Sequence, residues 1–310
     1  MNKKNILFVW NTGTGTLPVF INEQIDSLKR NGYSVDLYEF KYSGISGYIS
    51  NYYQTMKMIK VLNKYDLIHA HFGLTGFIMG LIPVRPLIVT YHGSDINNPI
   101  LKIFSTISSL LSSHNIFVND QMVIGPKQKN TIIQCGVDLN IFHPIQNLKY
   151  KNNVPMILFG SSPSRKVKNY PFALKVIEYI KNNYGDVELR FLEGIDRQTV
   201  NSLINEADCC ILTSKWEGSP QFIKEAMSCN SPIVSADVGD VKVIISEVEG
   251  CSVVDLTNEN SVQIFGDKVV DAIRFRKEKK YTTGRKKIID MGLDIDQIAT
   301  RIIEVYRNIL

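Results

Sequence analysis

The chain lacks an apolar run long enough to cross a bilayer, a cysteine pattern for disulfides or metal, a concentrated basic stripe, and a third glycine in its glycine-rich loop. Each absence excludes something. The longest apolar region, "LTGFIMGLIPVRPLIVTY", is broken by Pro83, Arg85 and Pro86 well short of the roughly 20 residues a spanning helix needs. The opening "MNKKNILFVW" carries the charge of a signal peptide, but its apolar run falls short of the usual roughly 7–15 residues. The chain is therefore expected to stay in the cytoplasm. Five cysteines, Cys135, Cys209, Cys210, Cys229 and Cys251, are an odd number without ligand spacing, which predicts reduced thiols. The net charge is only +5: residues 1–148 carry 12 Lys and Arg against 8 Asp and Glu, and residues 149–310 carry 23 against 22. That spread argues against nucleic acid. The one dense cluster, "RFRKEKKYTTGRKK" (274–287), fits no binding motif and reads as a solvated helix end. The mild basic excess of the first half suits an anionic partner, either a membrane surface or a phosphorylated acceptor.

What is present is an ordinary globular composition, 44% hydrophobic and 21% charged, in a length that favours two domains. Short β-rich runs alternate with helical patterns. "NILFVW" (5–10), "SVDLYEF" (34–40), "DLIHAHF" (66–72), "PLIVTY" (86–91) and "HNIFVN" (114–119) form one series. A polar stretch, "IFHPIQNLKYKNNVP" (141–155), interrupts it. The series restarts with "MILFG" (156–160), "VELRFLEG" (187–194), "CCILTS" (209–214), "PIVSAD" (232–237) and "CSVVD" (251–255). Such alternation means βαβ units and parallel sheets. The expectation is two doubly wound α/β domains, 1–148 and 149–294, whose strand ends face a cleft between them. The helical segment 295–310 either caps the second domain or returns to the first.

The stretch "NTGTGTLPVF" (11–20) follows the first strand, where a phosphate loop belongs, but a dinucleotide fingerprint needs a glycine where Pro18 stands. Asp36, at about the right distance to hold a ribose, keeps that reading open at this point. The most specific stretch is "TSKWEGSPQFIKEAMSCNSPIVSADVGD" (213–240). Glu217 follows a strand, and Glu225 lies eight residues on, in a helix whose start is marked by Ser219 and Pro220. Free N–H groups at that start favour phosphate or sugar oxygens, and the carboxylates can accept hydrogens from a polyhydroxylated ligand. His69 and His71 alternate along a strand and have the look of metal ligands, but read rather as packing groups at the sheet's end. "DID" (294–296) reads as helix-entry chemistry. The segment "YISNYYQTMKMIKVLNKY" (48–65), with Lys57, Lys60 and Lys64, is either an amphipathic face for anionic lipid or a helix covering the sheet.

The Glu-x7-Glu pattern, with Ala226, Met227 and "SPIVS" after it, resembles that of the retaining glycosyltransferases of family 4. The resemblance covers nearly the whole chain, including "YHGSD" (91–95), "CGVD" (135–138) and "ADCCILTS" (207–214). The "EGSP" and "DVGD" motifs are similar to those of members that extend teichuronic acid, capsule and O-antigen chains. It implies a GT-B fold, a nucleotide-sugar donor (UDP- or GDP-linked), a glycan or lipid-linked acceptor, and no metal or other cofactor. Peripheral contact with the inner face of the cytoplasmic membrane is the expectation from the basic excess and from residues 48–65. In "FGSSPSRKVKNYPFAL" (159–174), Lys168-Asn169 stands where the family has Lys-Gly, and Ser162 stands where it commonly has arginine. Arg165 is the substitute diphosphate cation and Lys166 its rival. Catalytic roles then fall to Arg165, Lys168, Glu217 and His92. Donor contacts fall to Gly13, Gly15, Gly160, Gly218, Ser219, Pro220 and Glu225. With this resemblance Gly13 and Gly15 face a diphosphate, and Asp36 becomes an ordinary strand residue. Two alternatives stay open: a nucleotide-sugar epimerase of the same fold, and a non-catalytic binding subunit, which the missing arginine at Ser162 and Val243 in place of a frequent family glutamate would suit.

Overall fold

A computed structural model of the chain describes residues 4–11, 17–41, 44–84, 86–145, 154–279 and 281–310. Gly13, Gly15 and most of the polar stretch between the two strand series lie outside the described residues. The chain forms two compact units: Met1–Gly136 with Ile295–Leu310, and Val137–Asp294. The first holds β1 (Asn5–Trp10), β2 (Ser34–Glu39), β3 (Leu67–His71), β4 (Leu87–Tyr91), β5 (His114–Phe117) and β6 (Asn130–Ile132), in the sheet order β2-β1-β3-β4-β5-β6. Every pairing is parallel, with Phe8 opposite Leu37 on one side and His69 on the other. β3 and β4 are buried throughout, as strands covered by helices on both faces must be. The first five strands match the sequence expectation. β6, only three residues long, gives no readable pattern.

The second unit repeats the plan with β7 (Met156–Phe159), β8 (Glu188–Phe191), β9 (Cys209–Leu212), β10 (Ile233–Ala236) and β11 (Cys251–Val254), all parallel, in the order β11-β10-β9-β7-β8. Ile157, Phe159, Ile211 and Val234 pack against Val176 and Ile180 of helix Tyr170–Tyr184 and Phe265 and Val269 of helix Ser261–Lys279. In both sheets the strand order reverses beside the first strand, between β1 and β3 and again between β7 and β9. Open α/β sheets bind ligands outside the carboxyl ends of strands at such reversals.

Segment 137–145 packs within the second unit, before the boundary expected at 148. Arg285 holds it, donating to Phe142 O (2.6 Å) and Leu139 O (3.0 Å), while His143 N donates to Asn201 Oδ1 (3.3 Å). The cluster 274–287 is therefore more than a solvated helix end. Arg285 anchors this segment, and Arg276, nearly inaccessible, donates to Asn205 O at 2.7 Å.

Helix Ile295–Ile309 belongs to the first unit. Asp296 in its first turn accepts from Ser27 Oγ and Arg30 Nη2, both at 2.5 Å, and Tyr306 OH lies 2.6 Å from His69 Nδ1. The "DID" aspartate thus stands at the helix start, but these bonds run to helix Val19–Arg30 and tie the two helices together. All five cysteines are free thiols. Among the described residues no helix is long and apolar enough to cross a membrane.

Candidate active site

The reversal between β7 and β9 collects most of the residues singled out in the sequence. The loop after β7 runs through Gly160 to a short 3-10 turn, Lys166–Lys168, and the loop after β9 runs from Thr213 to Pro220. The two loops are stitched together: Thr213 Oγ1 donates to Lys168 O (2.9 Å) and Asn169 O (3.2 Å), and Lys215 N donates to Val167 O (2.9 Å). That stitching sets Lys168 Nζ 2.6 Å from Glu217 Oε1, with side chains only 10% and 14% exposed. Ser214 Oγ donates to the same oxygen at 2.5 Å. Oε2 of Glu217 has no partner among the described residues. The result is a nearly buried, fixed ammonium beside a carboxylate with one oxygen to spare.

Asn169 explains the Lys-Asn pair. It caps helix Tyr170–Tyr184 with φ 57° and ψ 44°, the left-handed region where glycine is free and asparagine is the best-tolerated alternative. Asn169→Gly is expected to leave thermal stability within about 0.5 kcal/mol of wild type, and Asn169→Ala to cost roughly 1–2 kcal/mol. Equal melting temperatures for the two variants would contradict this.

Glu225 is elsewhere. It sits one turn inside helix Gln221–Ser228, buried, and its Oε1 accepts from Arg197 Nη1 at 2.6 Å. Arg197 in turn lies 4.4 Å above the Phe142 ring. The pairing with Arg197, at the start of helix Arg197–Glu206, carries no sequence signal because it is purely tertiary. Sequence reading also missed what joins "EGSP" to "DVGD". Ser219 Oγ donates to Asp240 Oδ2, and the fully buried Lys224 donates to Ser219 Oγ and, at 3.2 Å, to Ser219 O. Burial pushes the Asp240 carboxyl up, and Lys224 and Ser219 pull it back. Gly239, at φ 58°, brings its Cα against Gly218, where an added Cβ would lie 2.5 Å from Gly218 O.

The remaining residues divide by role. Gly160 is required by packing, since a Cβ there would lie 2.1 Å from the Phe222 ring, and its N–H is already donated to Ile211 O. Pro220 precedes the first turn of helix Gln221–Ser228, whose opening N–H groups lack intrahelical partners. Arg165 and Lys166 are both exposed and make no ion pair among the described residues. Ser162 is tied to Glu193 Oε1 and, at 2.7 Å, to Ser164 Oγ.

In the first unit His69, His71 and His92 form a stack at the β1/β3 reversal, with ring centroids 4.6 Å and 5.3 Å apart. His71 Nδ1 lies 3.0 Å from His92 Nε2, and His69 sits between Tyr306 OH (2.6 Å) and Thr90 Oγ1 (2.7 Å). His69 and His71 are packing groups, as their alternation predicts. Phe20 and Phe72 flank His92. Phe72 holds φ 73°, ψ 141°, a costly conformation for a phenylalanine that survives only where neighbours impose it. Burial pushes His92 down to about 3, so any sugar contact it makes is through a neutral ring. Among the described residues no group of three or more His, Cys, Asp or Glu is placed to hold a metal ion.

Residues 139–274 match the sequence model of the family described as "Glycosyl transferases group 1". That segment contains Lys168, Glu217 and Glu225. No curated protein matches the chain by sequence. Among solved structures, sucrose-phosphate synthase from Thermosynechococcus elongatus is similar with a TM-score of 0.76 and 14% identity, covering 99% of each chain. A glycosyltransferase from Rickettsia africae gives 0.74 and 15%, covering 100% of this chain and 99% of that one. Anabaena HepE in complex with UDP-glucose gives 0.70 and 16%, covering 98% and 99%. At such identities the likeness shows the fold: two parallel-sheet α/β domains of the GT-B type.

Proposed function

We propose that the chain is a retaining glycosyltransferase of family 4, moving a hexosyl unit from a UDP- or GDP-sugar to a glycan acceptor, lipid-linked, during assembly of a cell-surface polysaccharide. The observation that carries this reading is the Lys168–Glu217 pair, 2.6 Å apart at the strand-order reversal of the second unit, inside the segment that matches the family model. The complex of HepE with UDP-glucose supports a nucleotide-sugar as donor. The resemblance of "EGSP" and "DVGD" to polysaccharide-extending members supports the acceptor class.

Breaking the bond between sugar C1 and the phosphate oxygen places negative charge on the leaving diphosphate. Lys168 is held where its remaining ammonium hydrogens can meet that charge, with Arg165 closing on it from the exposed loop. The reading assigns this work to side chains and needs no metal. Glu217 is a poor nucleophile because one oxygen is neutralised by Lys168 and Ser214. Retention is therefore assigned to a same-face route: the acceptor oxygen bonds to C1 as the C1–phosphate bond breaks, and the acceptor's proton passes to the leaving phosphate. Oε2 of Glu217 and the carboxylate of Glu225 accept hydrogens from donor hydroxyls.

Incubation with UDP- and GDP-sugars tests the reaction. Nucleotide release that requires a glycan acceptor is the expected result. A changed sugar without acceptor would mean an epimerase, and neither would mean a binding subunit. Glu225→Ala is expected to raise the KM for donor roughly 10–100-fold, the loss of a charged hydrogen bond, with little change in kcat. Glu217→Ala is expected to lower kcat as well, because it also releases Lys168. Wild-type kinetics in both variants would remove the basis of the reading.

A further inference from the structure

Arg197 breaks the rule for the place it occupies. Helix Arg197–Glu206 is well started by Asp196, whose Oδ1 accepts from Thr199 N (2.9 Å) and whose Oδ2 accepts from Thr199 Oγ1 (2.6 Å). The next residue then carries a positive charge into the positive end of the helix dipole, a position that favours acids. Helix Arg197–Glu206 gains nothing from a cation there. The gain lies on another element: Arg197 Nη1 donates to Glu225 Oε1 at 2.6 Å, with the arginine side chain 23% exposed and the glutamate almost buried. Oε2 of Glu225 has no hydrogen-bond partner among the described residues. A local rule broken at one residue for the benefit of another is a mark of functional sites.

The pair is held from both ends. The guanidinium carbon of Arg197 stands 4.4 Å from the ring centroid of Phe142, which is fully buried. The backbone of Phe142 is fixed in turn by Arg285, whose Nη1 donates to Phe142 O (2.6 Å) and to Ser228 O (3.3 Å). Ser228 ends helix Gln221–Ser228, which carries Glu225 three residues earlier, and Arg285 N donates to Asn230 Oδ1 (2.7 Å) just beyond it. A closed circuit results. It runs from Glu225 along its own helix to Ser228, through Arg285 to Phe142, and through Arg197 back to the Glu225 carboxylate. Both cations need to be arginines, since one bonds several carbonyls in a plane and the other pairs with a carboxylate while stacking on a ring. Stability alone does not call for this arrangement. A nearly buried ion pair is on balance no more stabilising than apolar side chains of the same volume, and Arg197 also opposes the dipole of its helix. What the circuit provides is a carboxylate with one oxygen fixed and the other left over.

We infer that Arg197 is a positioning residue for donor binding: held over Phe142 by the Arg285 clamp, it fixes Glu225 so that Oε2 accepts a hydroxyl hydrogen of the nucleotide-sugar. The role rests on the transfer reading, which assigns Glu225 to the donor, but its test reads binding and needs no acceptor. The full chain would be titrated with a panel of UDP- and GDP-hexoses and the affinities measured at equilibrium. For the donor that wild type takes, Arg197→Ala is expected to bind about tenfold more weakly, while Arg197→Lys, which keeps the charge but not the stacking, should lose about threefold. In a Glu225→Ala background there is no carboxylate to position, so adding Arg197→Ala should weaken binding by less than about twofold more. That non-additivity separates a residue acting through Glu225 from one that merely supports the fold, whose loss would weaken both backgrounds alike. If Arg197→Ala melts below the assay temperature, Arg197→Gln, a neutral donor to the same oxygen, takes its place with an expected loss of about fivefold. Wild-type affinity in these variants, or equal losses in both backgrounds, would overturn the role and leave the transfer reading standing. A wild-type chain that binds no member of the panel would overturn the reading and the role together.

Discussion

Lys168→Ala is expected to lower turnover at saturating donor on the order of 10²–10³, the cost of removing one fixed charge from a developing oxyanion. The size of the effect comes from preorganisation. Lys168 is almost buried, its backbone is tied to Thr213, and its ammonium is already oriented by Glu217 at 2.6 Å. Arg165 is exposed and must be ordered by the donor, but its planar guanidinium suits bidentate phosphate contact. Arg165→Ala is therefore expected to cost a comparable factor, Arg165→Lys to recover little, and Lys166→Ala to turn over normally. Normal rates for Arg165→Ala beside a crippled Lys166→Ala would move the role to Lys166. Losing Lys168 also strands Glu217, so stability must be separated from catalysis. The paired change Lys168→Met, Glu217→Gln removes both charges and should melt closer to wild type than Lys168→Ala, while remaining inactive. Activity in the paired variant would show that the ion pair serves folding alone.

The sheets were legible because a parallel strand buried on both faces is a nearly continuous apolar run, and ten such runs stand out between helical patterns. β6 has three residues with no strand pattern of its own and exists through its pairing with β5. Lys168 and Glu217 were legible as motif positions of the family resemblance and Ser219 as a helix-start residue, but the pairing of Lys168 with Glu217 across 49 residues was not. Arg197 and Arg285 were not. Their partners, Glu225 and the carbonyls of Leu139 and Phe142, come from distant segments. Counting charges in 274–287 could not distinguish an arginine that bonds the backbone from the exposed lysines beside it.

Periodicity also proved blind to which face of a helix turns inward. Residues 48–65 have an amphipathic pattern, which allowed either an apolar face on the sheet or an apolar face toward lipid. The structure has some of each: Tyr52 and Met56 pack on the core, while Ile49 and Tyr53 point outward. The deciding information lies in a different segment. The glycines of "GLTGFIMG" permit close helix contact, and close contact selects the serine face of helix Pro99–Leu111.

The first unit is expected to lose stability steeply between pH 6.5 and pH 5. Burial holds His69 at about 3 and His71 well below the ordinary histidine range, and each is further lowered by a neighbouring ring in the stack. Both are neutral in the folded chain across this window, whereas an unfolded histidine takes up a proton below about 6.5. A depressed base contributes its stability above the unfolded value and loses it as pH falls toward the folded one, here at about 1.4 kcal/mol per pH unit for each histidine. At pH 5 His69 alone costs roughly 2 kcal/mol, with His71 and His92 lowered in the same direction, against a typical domain stability of about 5–15 kcal/mol. Asp95, whose carboxyl burial pushes up, acts in the opposite direction, so the informative quantity is a difference between variants. Denaturation followed by fluorescence of Trp10, buried in β1, reports on this unit in a Trp216→Phe background. His69→Gln is expected to be less stable than its parent at pH 8 but to lose less on acidification, flattening the slope by about 1.4 kcal/mol per pH unit. Parallel slopes for the two chains would mean that His69 is already charged in the fold, which its place between Tyr306 and Thr90 does not accommodate.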